Sequence, residues 1–299
     1  MNQQALDTLQ RRAAETHSDA LIVLQHGQTL CACFSERPRA PIHLMSCTKS
    51  IVALAFGCLL DDGRLASLDQ PLATLYPEWK QGQKTNITIR MLLNHTSGLQ
   101  NVPNAGLEIE PAPDVVQLAL AAELDFVPGS ASRYNNKAVN LLAGVIQRVS
   151  GQRLDHFVQQ ALFTPLGITE YRWMTDRAGN PYVMAGLSLH PADFAAIGQL
   201  VVHGGRWNGA AIVSDSWLRE VLNQSQPYTP RHGLLWWRLI DQQTGQVVGY
   251  YSEGWLGQCL VILPQEELVA IRLVQRSDQY GHATDGFTDF LDCVRALTF

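Results

Sequence analysis

Ser46 and Lys49 stand three residues apart at the head of an apolar run, so on a helix their side chains share one face a turn from each other. This S-x-x-K pair has a chemistry: a hydroxyl able to attack an acyl carbon beside an amine able to take its proton. Apolar packing strips water from the amine, lowers its pKa and leaves its neutral form available as base. In the first turn the Ser46 backbone N–H points outward with the positive end of the helix dipole, which suits an oxyanion. With 15 Ser and 4 Lys in the chain, about 0.2 such pairs arise by chance, so the spacing alone is a modest signal. The competing reading is a capping serine with a surface lysine.

Tyr134, Asn135 and Asn136 follow Pro128-Gly129 and open a helical run from Lys137 to Val149. In this Y-x-N element a phenol near a lysine ammonium is expected to ionise more easily and to shuttle a proton. The Asn136 amide could orient a substrate carbonyl or the lysine. A capping Asn beside a packed Tyr is the plainer alternative.

The elements that must position these groups read as follows. Asn2 to Glu15 is an amphipathic helix, and Ala20 to Gln25 with Thr29 to Phe34 form a hairpin around His26-Gly27. Ser46 to Leu60 is apolar almost all round and marks an interior helix stopped by Gly63. Helices follow at Thr88–Leu93, Asp114–Glu123, Lys137–Val149 and Leu154–Phe163, then at Pro191–His203 and Asp215–Asn223. Strands take over at Gly233–Ile240, Gln246–Tyr251, Gln258–Leu263 and Leu268–Val274, before a closing helix at Asp285–Leu297. Strands at both ends with helices between imply an α/β (α+β) fold: one antiparallel sheet flanked by helices, with an all-helical part inserted. The expected division is 1–65 with 186–299 for the sheet domain and 66–185 for the helical one, with the active site in the cleft between.

A chain of 299 residues, 46% hydrophobic and of net charge -5, can bury a large core and carries no basic block. Nucleic acid and membrane are therefore not expected as partners. No run approaches a membrane span, and residues 1–20 lack a secretory apolar region, so a cytoplasmic location is expected. The six cysteines are scattered and read as reduced thiols, with Cys31 and Cys33 on one strand face and Cys47 as packing. No metal or cofactor is implied.

Motif order extends the picture. Met45-Ser46-Cys47-Thr48-Lys49-Ser50, Asp61-Asp62-Gly63-Arg64-Leu65 and Leu92-Leu93-Asn94-His95-Thr96-Ser97-Gly98-Leu99 occur with Tyr134 to Asn136, Pro165-Leu166-Gly167 and His203-Gly204-Gly205. Together these resemble the serine β-lactamase-like family, which includes class C β-lactamases, family VIII esterases, D-aminopeptidases and nylon-oligomer hydrolases, over roughly residues 20 to 295. The resemblance implies a β-lactamase/transpeptidase-like fold. It implies Ser46 as nucleophile, Lys49 as proton acceptor, Tyr134 as second base and Asn136 as an orienting amide. The family's K-T-G or H-x-G element falls at Ser252-Glu253-Gly254. Ser252 replaces the cation that would grip a β-lactam carboxylate, while Gly254 permits close approach and the Trp255 N–H would be the second oxyanion donor.

Trp236 or Trp237, one of the two by alternation, is expected to wall the site. Glu253 has two readings, a residue facing the cleft and, more plainly, a solvated carboxylate, and His95 reads as a buried turn residue. No G-x-S-x-G elbow, phosphate loop or H-E-x-x-H occurs. The expected activity is esterase-like hydrolysis of a small-molecule ester or amide by a monomer or homodimer. A β-lactam or D-amino-acid peptide hydrolase is the alternative, and a non-catalytic binding protein on the same fold is a second.

Overall fold

A computed structural model describes residues 2–36, 40–275 and 287–298. Its centre is a six-stranded antiparallel sheet of β1 (Ala20–Gln25), β2 (Gln28–Phe34), β3 (Trp237–Ile240), β4 (Val247–Gly254), β5 (Gln258–Leu263) and β6 (Leu268–Leu273), in the order β2-β1-β6-β5-β4-β3. The N-terminal hairpin thus joins the C-terminal meander through β1 and β6, with Val23 opposite Ala270.

Side-chain alternation divides the sheet between two cores. On one face Leu21, Val23, Val261, Leu263 and Ala270 pack with Leu6 and Leu9 of helix α1 (Gln3–Glu15) and with Phe290 and Val294 of the closing helix. Asn2 caps α1 by accepting the Ala5 N–H. On the other face Ile22, Leu260, Ile262, Val269 and Ile271 pack against the helix Pro191–Val202, whose Gly198 lies on Val269 and Leu260, and belong to the larger core that also holds helix α2 (Thr48–Asp61). Every residue of α2 from Thr48 to Leu59 is buried, which accounts for the apolar run from Ile51 to Leu59 and leaves Thr48, Lys49 and Ser50 as polar groups held inside. Each fully buried Leu, Ile or Phe there contributes about 1.5–3 kcal/mol of transfer free energy.

The helices from Ile89 to Leu166 form the insertion, with Asn136–Ser150 (α3) as its core member, capped by Asn135 and ended by Gly151 at φ 75°. A short strand, Tyr171–Trp173, interrupts this otherwise helical part and pairs with Leu187–Leu189, which also pairs with Ile42–His43.

Several expected elements differ in their bounds: the strand expected at Gln246–Tyr251 runs Val247–Gly254, and the helix expected from Ser46 begins at Thr48. The strand expected from Gly233 begins only at Trp237, because Leu235 takes φ 58° and sends its N–H to the Leu93 carbonyl, while the Gly233 N–H closes on Trp236. The closing helix runs from Phe290 to Arg295, and residues 285 and 286 of the expected span lie outside the described residues. Because β3 is short, it pairs with β4 only as far as Tyr251. Ser252, Glu253 and Gly254 run on beyond it, paired with β5 on one edge and with no strand on the other among the described residues.

Candidate active site

The turn Met45–Cys47 leads directly into α2. Met45 is buried in the left-handed backbone region at φ 51°, a conformation that costs a non-glycine residue on the order of 1 kcal/mol and is sustained by packing. This bend presents Ser46 at the end of β4. Nothing in the residue type signals it, so sequence reasoning missed it.

Ser46 Oγ lies 2.9 Å from Lys49 Nζ and 3.0 Å from the Tyr134 hydroxyl. Lys49 is buried and also donates to the Met184 carbonyl, and its Nζ stands 5.0 Å from the centre of the Tyr134 ring. Burial brings the Lys49 pKa down to about 7. The surface-lysine alternative is thereby excluded. For Tyr134 the outcome reverses the expectation of easy ionisation: burial pushes the phenol up to about 12, so it stays protonated and donates to Ser46. Desolvation is the largest influence on the phenol and exceeds the lowering by its hydrogen bond to Ser46.

Behind Tyr134 sits His95, in left-handed backbone at φ 61° and buried, with ring centroids 4.6 Å apart. Its Nδ1 accepts the Asn135 N–H at 3.3 Å, and burial holds its pKa well below the ordinary imidazole range. The imidazole therefore packs and orients in neutral form. Asn135, not Asn136, is the helix cap, donating also to the Leu99 carbonyl. Asn136 is the first residue of α3, and its Oδ1 is buried without a hydrogen-bond partner.

Ser252 does not face the cleft. It is buried, and its hydroxyl is hydrogen-bonded to Ser50 Oγ at 2.7 Å, next to the Leu235 carbonyl that Ser50 also engages. Gly254 abuts the nucleophile: a Cβ there would fall 2.6 Å from the Leu44 carbonyl oxygen and 3.1 Å from the Ser46 nitrogen. Trp255 begins the turn to β5 with its side chain about half exposed, and Leu256 completes that turn at φ 68°. Arg272, fully buried, holds the turn by donating to the Leu256 and Gly257 carbonyls.

A recess lined by Ser46, Lys49, Tyr134, His232, Trp237 and Glu253 opens onto the nucleophile. Both Trp236 and Trp237 line it, not one. Alternation applies only within a strand, and Trp236 precedes β3, with its indole N–H fixed to the Ser50 carbonyl. His232, overlooked in the sequence, packs edge-on against Trp237 at 4.2 Å. Cys47 is buried, with its thiol pushed up to about 12, as its packing role requires.

An antiparallel sheet, a buried S-x-x-K helix and a tyrosine delivered from an α-helical insertion define the active-serine hydrolases of β-lactamase fold. Residues 6–289 match the Beta-lactamase family, and the chain belongs to it. It is a serine hydrolase. It is 24% identical to the 6-aminohexanoate-dimer hydrolase of Paenarthrobacter ureafaciens, over 98% of this chain and 82% of that protein. Esterase EstB of Burkholderia gladioli is 34% identical over 46% of this chain, a match spanning 41% of that protein's length. The fold is shared with the penicillin binding protein from Bacillus halodurans, at TM-score 0.74 and 18% identity over 97% of this chain and 98% of that one. It is shared too with EstCE1, a hydrolase with promiscuous acyltransferase activity, at TM-score 0.78 and 17% identity over 97% of each chain. Among the described residues no helix is long and apolar enough to cross a membrane.

Proposed function

We propose that this chain cleaves a small ester or amide through an acyl-enzyme on Ser46, in the cleft between the sheet part (1–65 and 186–299) and the helical part (66–185). The observation that carries the proposal is the joint approach of Lys49 Nζ at 2.9 Å and the Tyr134 hydroxyl at 3.0 Å to Ser46 Oγ. Neutral Lys49 takes the Ser46 proton as Oγ bonds to the carbonyl carbon. The resulting oxyanion is met by the backbone N–H groups of Ser46 and Trp255. As the carbonyl re-forms, the bond to the leaving group breaks and the Tyr134 phenol protonates it. The phenol is then restored by the proton on Lys49. Water repeats the sequence on the acyl carbon and frees Ser46. Asn136, with its unpartnered Oδ1, is the candidate to orient an N–H of the substrate.

Ser252 offers no cation to a β-lactam carboxylate, which favours esters and simple amides. The unpaired edge Ser252–Gly254 supports a second reading, an extended peptide-like amide laid alongside β4. Hydrolysis of short-chain nitrophenyl esters that disappears in Ser46→Ala supports the first reading. Stoichiometric penicillin labelling without ester turnover supports the second. An intact fold whose Ser46 takes no fluorophosphonate adduct would sink both in favour of a binding protein. The six free cysteines, with Cys31 and Cys33 sulfurs 3.3 Å apart and unbonded, fit the cytoplasmic location we propose for it.

A further inference from the structure

We infer that the substrate carries a cationic ammonium group, held by Glu253 at the mouth of the cleft against the aromatic wall of Trp237. This rests on the hydrolase reading of Ser46 and adds to it a substrate class. Glu253 belongs to the three-residue overhang of β4 beside the nucleophile and lines the same recess as Ser46, Tyr134, His232 and Trp237. Two residues on from Tyr251, it shares a sheet face with Tyr251 and with Trp237, the residue paired to Tyr251 across the strands. The Trp237 and Tyr251 rings stack at 6.1 Å and His232 packs edge-on against Trp237, so Glu253 shares its sheet face with an aromatic cluster.

Glu253 is the single carboxylate lining the recess and, beyond its backbone pairing with Cys259, its side chain makes no ion pair or hydrogen bond with the described residues. His95 and His232 are both desolvated toward the neutral form, and Lys49 is committed to Ser46 and Met184. The position where a lysine would invite a substrate anion is Ser252, turned inward onto Ser50. Glu253 is exposed at the cleft mouth, and the partial desolvation of its carboxylate raises its pKa from the ordinary value, a shift that a bound cation opposes. A carboxylate beside an indole face is the arrangement that recognises alkylammonium groups.

The test compares three nitrophenyl esters of one chain length: hexanoate, its 6-trimethylammonio analogue and its 6-carboxylate analogue. The wild-type protein should prefer the cationic ester to the anionic one in kcat/KM. The ratio of cationic to neutral kcat/KM should fall about five- to tenfold in Glu253→Gln, mostly through KM, and the cationic preference should invert in Glu253→Lys. An unchanged ratio in both variants overturns the proposal. If none of the esters turns over and Ser46 takes no fluorophosphonate, the hydrolase reading has failed on its own. Calorimetry with hexyltrimethylammonium then decides the cation site: binding weakened several-fold in Glu253→Gln sustains it, and equal or absent binding to wild type and variant refutes it.

Discussion

Lys49 Nζ lies 2.9 Å from Ser46 Oγ while its own side chain is almost wholly withdrawn from water. The neutral amine is the form that can accept a proton, and burial sets its pKa at about 7. Acylation should therefore rise with pH along a limb centred near 7 and fall about tenfold per unit well below it. Lys49→Arg, which stays charged at every accessible pH, should lower acylation by on the order of 10² or more and abolish that limb. Pre-steady-state nitrophenol bursts between pH 5 and 9 measure both. A wild-type limb that persists unchanged in the arginine variant would remove Lys49 from the role of base.

Tyr134 is expected to serve the leaving group, since its phenol is held protonated with its pKa near 12. Tyr134→Phe keeps the ring packed on His95 and removes only the hydroxyl. Acylation by an alkyl ester or anilide, whose leaving group needs a proton, should drop by on the order of 10². A nitrophenyl ester, whose leaving group departs as an anion, should lose much less. Equal losses across the two substrate types would place the hydroxyl's contribution elsewhere.

Much of this candidate site is legible in the sequence, because its chemistry is written in short segments. The S-x-x-K spacing on an apolar helix and the Y-x-N element at a helix entrance each fix a local geometry, and antiparallel pairing of the end strands brings Gly254 to Ser46. What escaped was whatever depends on tertiary desolvation or on backbone that residue type does not announce. The Tyr134 phenol moved opposite to expectation because burial, invisible in a sequence, outweighed its neighbour. Ser252 turned inward because Ser50, one residue beyond Lys49 on the helix, offered a buried partner. Leu235 and Met45 adopt left-handed backbone that a leucine and a methionine rarely take, so the strand start at Trp237 and the bend before Ser46 had no signal. His232 enters the recess from a segment whose sequence reads as ordinary loop, whereas Glu253 takes the cleft-facing one of its two readings.

Gly254→Ala tests the close approach directly. The added methyl would meet the Leu44 carbonyl oxygen at 2.6 Å and the Ser46 nitrogen at 3.1 Å, both backbone atoms that cannot swing aside. Either β4 retreats or the bend before Ser46 opens. Stability should fall by about 1–3 kcal/mol, and acylation should fall further than stability alone explains, by on the order of tenfold to a hundredfold in kcat. Fluorophosphonate labelling rates on the folded fraction separate the two effects. Labelling at the wild-type rate would show that the strand end and the nucleophile are not coupled.

Arg272 offers the corresponding test from beneath the same turn. Its guanidinium reaches Ser18 Oγ at 2.9 Å, the Leu256 and Gly257 carbonyls at 2.6 and 3.0 Å, and the Thr16 carbonyl at 2.9 Å, tying the end of α1 to the loop that follows Trp255. Arg272→Met matches much of the volume but leaves three inward-facing carbonyls without their donor. Each orphaned acceptor costs about 1 kcal/mol or more, offset in part by no longer burying a charge, so a net loss of about 2–4 kcal/mol is expected. The urea midpoint should fall with an unchanged slope, since the buried surface is nearly preserved. Because the released carbonyls lie one and two residues beyond the Trp255 N–H, kcat should fall along with stability while KM changes little. A variant that unfolds at lower urea yet keeps its full kcat would assign Arg272 to the scaffold alone.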